Sequence, residues 1–382
     1  MPAITDVNDL QDMENDLAGN YWLANDIDAS ATVGWNGGAG FLPIGQGAPY
    51  FSGSLDSKGY VISGLFINRP GTDNVGLFGI ITTGAVLTDV VLENADITGD
   101  DYVGGIAGYI YNGADIIDSS VEGSITGSDH VGGLTGWSSG ASGNHNTFTR
   151  CHTNIAVTGN TAGGFADGAG FTDFDICYSL GTVEATTHGG GFTRTAYGNN
   201  CVVTFNDCYS RCSVHAGVGG GDCAGFIRDS TVWGTGSVTI INCYSTGAVS
   251  SDAGDAYGFI YITDVADTTI TACFWDTETS GTALSDGGTG KTTSQMKTKA
   301  TFTAVGWDFI IIWGINGITN DGYPFFWVMP PEPLPDAPRA TVAVQDKITL
   351  EAVRNVEMAA GGRFYINEEG NAVYKSRYAR NA

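Results

Sequence analysis

Three kinds of side chain in this 382-residue chain are spaced regularly enough to do chemistry: eight cysteines, the aromatic residues that follow them, and 41 acidic residues accompanied by five histidines. Cys151, Cys177, Cys208, Cys243 and Cys273 recur at intervals of about thirty residues, and no Cys-x-x-Cys pair occurs, so a zinc site is not expected. If the copies that carry them stack as parallel strands, neighbouring Cα atoms lie roughly 4.8 Å apart. Their side chains then point the same way, whereas a disulfide needs converging vectors. The expectation is an inward ladder of reduced thiols acting as small apolar groups. Cys201, Cys212 and Cys223 stand off that column, and a bridge between two of them stays open.

Each column cysteine is followed by a ring, in the order His152, Tyr178, Tyr209, Tyr244 and Phe274. Alternation along a strand turns these rings outward if the cysteines turn inward. A strip of ring faces is a platform for a sugar, which makes Tyr178, Tyr209 and Tyr244 the candidate ligand-binding residues. Rings that only stack on one another, or pack under longer corner loops, are the structural alternative. Catalytic groups do not repeat: His130 and His188 hold equivalent places, but the same column contains Tyr102, Thr161, Asp222 and Asp255. A glycosidase-type pair of carboxylates roughly 5–10 Å apart could arise between copies, and the sequence assigns no such pair. Gly99-Asp100-Asp101 and Ser251-Asp252-Ala253-Gly254-Asp255 supply oxygen ligands of the kind calcium takes, though neither forms a defined loop, and no other cofactor is expected. Ser285 to Thr292 ends like a phosphate-cradling loop, but Ser285 stands where the pattern requires glycine.

What positions these residues is a repeat. Leu77, Ile106, Leu134, Phe165, Phe192, Phe226 and Phe259 each close a glycine-rich phrase, at spacings of 29, 28, 31, 27, 34 and 33. Val90, Ser119 and the five column cysteines keep step with them, and so do Ile125, Val157, Val183, Val214 and Val249. Columns advancing together at this period describe units that bury a face only against their neighbours. Segments such as Thr239 to Ser245 are β-branched or aromatic and bounded by turn residues, and 57 glycines disfavour helix. Units of 27–34 residues are short for a propeller blade and fit three short strands per coil. The expected fold is all-β, a right-handed parallel β-helix with short capping helices and a small α+β module at the C-terminus.

The phrases Val75-Gly76-Leu77-Phe78-Gly79, Val103-Gly104-Gly105-Ile106-Ala107-Gly108 and Val131-Gly132-Gly133-Leu134-Thr135-Gly136 resemble the GLUG motif of bacterial surface proteins, adhesins and some autotransported proteases. The openings Tyr21 to Asp28 and Phe41 to Gly45, and the closings Cys273 to Gly281, Gly306 to Phe309 and Asn320 to Pro324, resemble the flanks of such regions. The resemblance covers about residues 4–328 and implies architecture more than activity.

The layout follows. Residues 1–19, with Val7, Leu10, Met13 and Leu17 at helical spacing behind Thr5 and Asp6, form an N-terminal capping helix, and 20–328 form the β-helix with its C-terminal cap. Within that cap Thr292 and Thr293 are placed to start a short helix through Met296, and Trp307, Phe309 to Trp313 and Phe325 to Trp327 to seal the core. A Pro-rich linker at 329–338 leads to a small module at 339–382, a helical stripe from Ile348 to Met358 followed by a hairpin about Glu368 to Asn371. The hairpin phrase, Gly362 to Ile366 and Tyr374 to Arg377, resembles a segment of bacteriophage tail components. Charge inverts at this boundary: the formal total is −25, the last 44 residues hold seven basic and five acidic side chains, and the remainder therefore carries −27.

An acidic solenoid repels nucleic acid and anionic membranes, and no apolar run is long enough to span a bilayer. No signal-like leader precedes Ile4, as in an exported chain without its signal or a virion component. The expected role is a non-enzymatic binding or structural protein outside the cell, of adhesin or phage-fibre type, contacting a glycan or a protein and anchored or self-assembled through 339–382. The alternative is a polysaccharide-degrading hydrolase or lyase on the same solenoid.

Overall fold

The computed structural model describes residues 2–263 and 267–327 and, beyond them, the backbone of two strands, 362–366 and 372–376. It separates into two compact units, Met1–Met296 and Lys297–Ala382. The Pro-rich segment 329–338 and the helical stripe 348–358 lie outside the described residues.

The first unit is the parallel β-helix that the repeat implies, a solenoid of about eight turns. Its three walls are sheets of 10, 16 and 7 strands in which each strand pairs with its counterpart one turn away. One turn runs through Thr135–Ser139 in the third wall, Asn146–Thr149 in the first and His152–Gly163 in the second, before Ala166–Gly170 begins the next. Pairing is parallel and in register: Phe148 faces Phe174, Val157 faces Val183 and Gly168 faces Thr195.

Leu77, Ile106, Leu134, Phe165, Phe192, Phe226 and Phe259 are all fully buried. Register turns this column into a stack, with Phe165 and Phe192 parallel at 4.8 Å and Phe226 and Phe259 at 5.0 Å. A second stack of Phe148, Phe174 and Phe205 meets it edge to face, Phe174 to Phe192 at 5.4 Å and 89°. Parallel stacking along the axis and perpendicular contact across it suit the aromatic quadrupole in both directions.

The glycine before each marker has a separate reason. A Cβ on Gly133, Gly164, Gly191 or Gly225 would fall inside the contact radius of the carbonyl oxygen of Gly164, Gly191, Gly225 or Gly258 one turn on. Gly191→Ala must therefore push two turns apart, and overpacking of this kind costs about 1–3 kcal/mol or more. Chemical denaturation should show that loss with an unchanged m-value; equal midpoints for the two proteins would refute the close approach.

The corner between the first and second walls explains the cysteines. Asp118, Arg150, Asp207, Asn242 and Ala272, each one residue before the column, adopt positive φ. The bend leaves the next N–H pointing along the axis, and the side chain one turn on accepts it: Cys151 donates to Cys177 Sγ at 3.5 Å and Cys243 to Cys273 Sγ at 3.4 Å. The thiol then donates to the carbonyl two residues back, as from Cys243 to Ile241 at 3.2 Å. Ser119 does the same with oxygen, accepting from Val90 and donating to Ile117. The column is a relay for one buried N–H per turn. All eight cysteines are buried free thiols, Cys201, Cys212 and Cys223 included. Burial pushes the thiols of Cys151, Cys177 and Cys243 well up and those of Cys212 and Cys223 to about 12. The thiolate is the reactive form, and although burial raises Cys208, hydrogen bonds from Cys177 and Cys243 draw it down to about 6. All eight sulfurs are buried, so a disulfide-exchange reagent at pH 8 should label almost none of them in minutes and all of them in guanidinium. Rapid labelling of the native protein would contradict the ladder.

The N-terminus closes the first turn. Val7–Gln11 is α-helical and Asp12–Asn15 continues as 3₁₀, with Val7, Leu10, Met13 and Leu17 buried. Asp6 caps it, its carboxylate accepting the N–H groups of Asn8 and Asp9. Thr5 instead donates its N–H and hydroxyl to Asp9. Ala3–Ile4 pairs in parallel with Asn20–Leu23 as the outer strand of the first wall. At the other end of this unit Thr292 and Gln295 exchange N–H bonds around Thr293–Met296, a capping box.

In the second unit Trp307, Trp313 and Phe326 pack on one another, with ring centres 4.4 and 4.3 Å apart. Gly362–Ile366 and Ala372–Ser376 form the antiparallel ribbon, Gly362 opposite Ser376.

Candidate functional site

His152, Tyr178, Tyr209 and Tyr244 do stack, with ring centres 4.7, 4.8 and 4.9 Å apart and planes within 14°. The sugar-platform expectation for Tyr178, Tyr209 and Tyr244 fails on this geometry, since the three side chains are only 4%, 4% and 0% exposed. A pyranose needs a free ring face, and rings stacked along the axis spend their faces on each other. This column is packing outside the central core.

The structure draws together a different set. The column that mixes Tyr102, His130, Thr161, His188, Asp222 and Asp255 runs along the corner between the second and third walls. Facing it is the position two residues after each marker, which reads Gly79, Gly108, Gly136, Asp167, Arg194, Arg228, Tyr261. In the early turns the corner residues Asn74, Tyr102 and His130 have positive φ, and the glycines fit against them: a Cβ on Gly136 would meet the His130 carbonyl at 2.6 Å. Thr161, His188, Asp222 and Asp255 are not in that conformation, and from Asp167 onward large polar side chains occupy the place.

The outcome is a continuous cluster. Tyr102 stacks on His130 at 4.6 Å, and Trp137 meets His130 edge-on at 5.0 Å. His130 Nδ1 donates to Asp167 Oδ2 at 2.9 Å, its backbone N–H to Thr161 Oγ1. Arg194 grips the same carboxylate with Nε and Nη2, both at 2.8 Å. Arg228 follows, between Asp229 at 3.5 Å and Asp222 at 3.8 Å, with the Tyr261 ring 5.7 Å from its Cζ. On the same wall Tyr111 and Trp233 stand 44% and 61% exposed.

Electrostatics sorts the acids. Burial alone would raise the pKa of Asp167, but Arg194 and His130 outweigh it and hold the carboxyl below its usual range. For Arg194 burial works downward and Asp167 more than offsets it. A carboxylate locked ionised by three donors is no proton donor, so this pair fixes geometry and does not do acid catalysis. His188 is pushed down by burial and by Arg228 and Arg194. Burial with Asp286, Asp255 and Asp222 nearby lifts the Tyr257 phenol to about 12. Among the described residues no three His, Cys, Asp or Glu side chains converge as metal ligands, and no helix is long and apolar enough to cross a membrane.

In the sequence the corner column shows no single residue type repeated, so repetition does not mark it as a site. The usable signal was the opposite one, a glycine column that abruptly becomes Asp, Arg, Arg, Tyr.

The family model for the GLUG motif matches residues 99–126. Halomucin of Haloquadratum walsbyi is 46% identical over 113 residues, 28% of this chain and 1% of halomucin. A candidate Gly-rich membrane protein of Evansella cellulosilytica is 38% identical over 81 residues, 21% of this chain and 9% of that protein. The chain thus spans a small fraction of both relatives. The crystal structure of a candidate immunoglobulin A1 protease from Bacteroides ovatus aligns with a TM-score of 0.52 over 85% of this chain and 91% of that one, at 16% identity. That likeness establishes the β-helical fold alone.

Proposed function

We propose that this GLUG-motif β-helix is displayed outside the cell as a non-enzymatic binding protein, and that the third wall, with its corner, recognises a glycan or a protein partner. The observation that carries this reading is the replacement of the repeat's glycines by Asp167, Arg194, Arg228 and Tyr261 beside the exposed Trp233. A solenoid needs only small residues there, so charged and aromatic side chains locked by ion pairs serve something other than stacking. Similarity to a membrane protein agrees with display at a surface. The basic segment 339–382 is assigned to attachment or self-assembly, since its net +2 complements the −27 that precedes it.

The test is binding of the labelled full chain to prokaryotic cells and to immobilised extracellular polysaccharide. Tyr111→Ser with Trp233→Ser, both exposed, should weaken it about tenfold or more without changing Tm. Unchanged binding would remove the third wall from the proposal, and reducing ends or unsaturated products released from the polysaccharide would replace a binding role with an enzymatic one.

A further inference from the structure

Resting on the third-wall reading, we infer that Arg228, with Asp222, Asp229 and Tyr261, forms a subsite for a neutral saccharide bearing adjacent hydroxyl groups. Arg228 differs from Arg150 and Arg194. Arg150 and Arg194 each form two-pronged pairs, Arg150 reaching Asp118 at 2.8 and 3.0 Å. Arg228 reaches Asp229 only at 3.5 Å and Asp222 only at 3.8 Å, and its buried Nε has no hydrogen-bond partner. Its side chain keeps 13% exposure, an edge that a ligand can reach while most of the group stays out of water. Thr195 Oγ1, likewise buried without a partner, sits on the adjacent turn, where Thr195 pairs in register with Asp229.

Unused donors on Arg228 call for an acceptor. The flanking carboxylates can take further donors on their remaining lone pairs, Asp229 already accepting from Thr231 and Thr263 and Asp222 from the Asp255 N–H, all at 2.9 Å. An ammonium group supplies no acceptor and a carboxylate no donor. An acidic sugar would also meet two carboxylates against one guanidinium on a chain of −25. A pair of sugar hydroxyls supplies both roles without charge. The Tyr261 ring, tilted against Tyr257 at 5.0 Å, adds an aromatic surface for the sugar's C–H groups. His188, held towards its neutral form, adds no charge to the site.

The full chain should be screened on an array of neutral, uronate, sialylated and sulfated oligosaccharides, then titrated calorimetrically with the best neutral methyl glycosides. Neutral glycans should bind and charged ones should not. Asp229→Asn and Arg228→Lys, checked by Tm and circular dichroism, should each weaken the neutral ligand at least about tenfold, as expected for hydrogen bonds to charged groups. Tyr261→Ala offers a third variant that leaves the ion pairs in place. Retention of charged glycans only, full affinity in all three variants, or silence across the array would each overturn the subsite. The third-wall reading is judged separately by the Tyr111 and Trp233 variants on cells: loss there with a silent array sinks the saccharide and keeps the face.

Discussion

A Phe192→Ala chain should melt at least about 5 °C below the wild type. Phe192 is fully buried and holds both ladders, parallel to Phe165 at 4.8 Å and near-perpendicular to Phe174 and Phe205 at 5.4 and 5.8 Å. Truncating a buried phenylalanine costs about 3–5 kcal/mol through lost transfer energy and the cavity left behind. At about 2.1 cal/mol/K per residue the unit Met1–Met296 unfolds with roughly 0.6 kcal/mol/K, so the lower end of that cost gives the shift stated. In a solenoid the damage reaches both neighbouring turns, because each turn is stabilised only by the two beside it. Phe192→Leu should recover more than half of the loss, since Leu77 and Leu134 hold this column in earlier turns. A calorimetric scan decides it, and an alanine variant melting with the wild type would mean the ladder is not continuous there.

The second large effect concerns the buried pair. Asp167→Ala leaves the Arg194 guanidinium without its two-pronged partner, and breaking a buried pair from one side costs about 3–5 kcal/mol. Replacing both, Asp167→Gly with Arg194→Gly, returns the column to the glycine of Gly79, Gly108 and Gly136 and should cost clearly less than the single change. The difference is read from a double-mutant cycle. The pH dependence has a definite sign. The folded-state pKa of Asp167 is depressed, so its contribution is complete above the unfolded value of about 4 and disappears as pH falls through the lower folded value. Between pH 7 and pH 3 the wild type should therefore lose more stability than the double-glycine chain. Equal losses would show that Asp167 and Arg194 are not coupled.

Much of the fold was legible because repetition multiplies a weak local signal. One Val-Gly-Gly-Leu phrase says little, whereas seven apolar markers in step with Cys151 to Cys273 leave one way to bury them all, and the structure buries them all. The thiol ladder was legible for the same reason, although its chemistry, relaying an N–H at a positive-φ corner, required the backbone angles. The site was less legible. Alternation placed Tyr178, Tyr209 and Tyr244 outward from the cysteines, but outward is not exposed when rings one turn apart cover each other's faces.

From the sequence alone come the period, the parallel register, the identity of the core columns and the −27 of residues 1–338, because each is a property of order along the chain. Only the tertiary structure decided that His130, Asp167 and Arg194 form one hydrogen-bonded group, with 37 and 27 residues separating the bonded partners. Register brings residues about one turn apart into neighbouring strands, but whether their side chains meet depends on the corner. There the change from the positive φ of His130 to the extended backbone of Thr161 and His188 accompanies the change from glycine to charge.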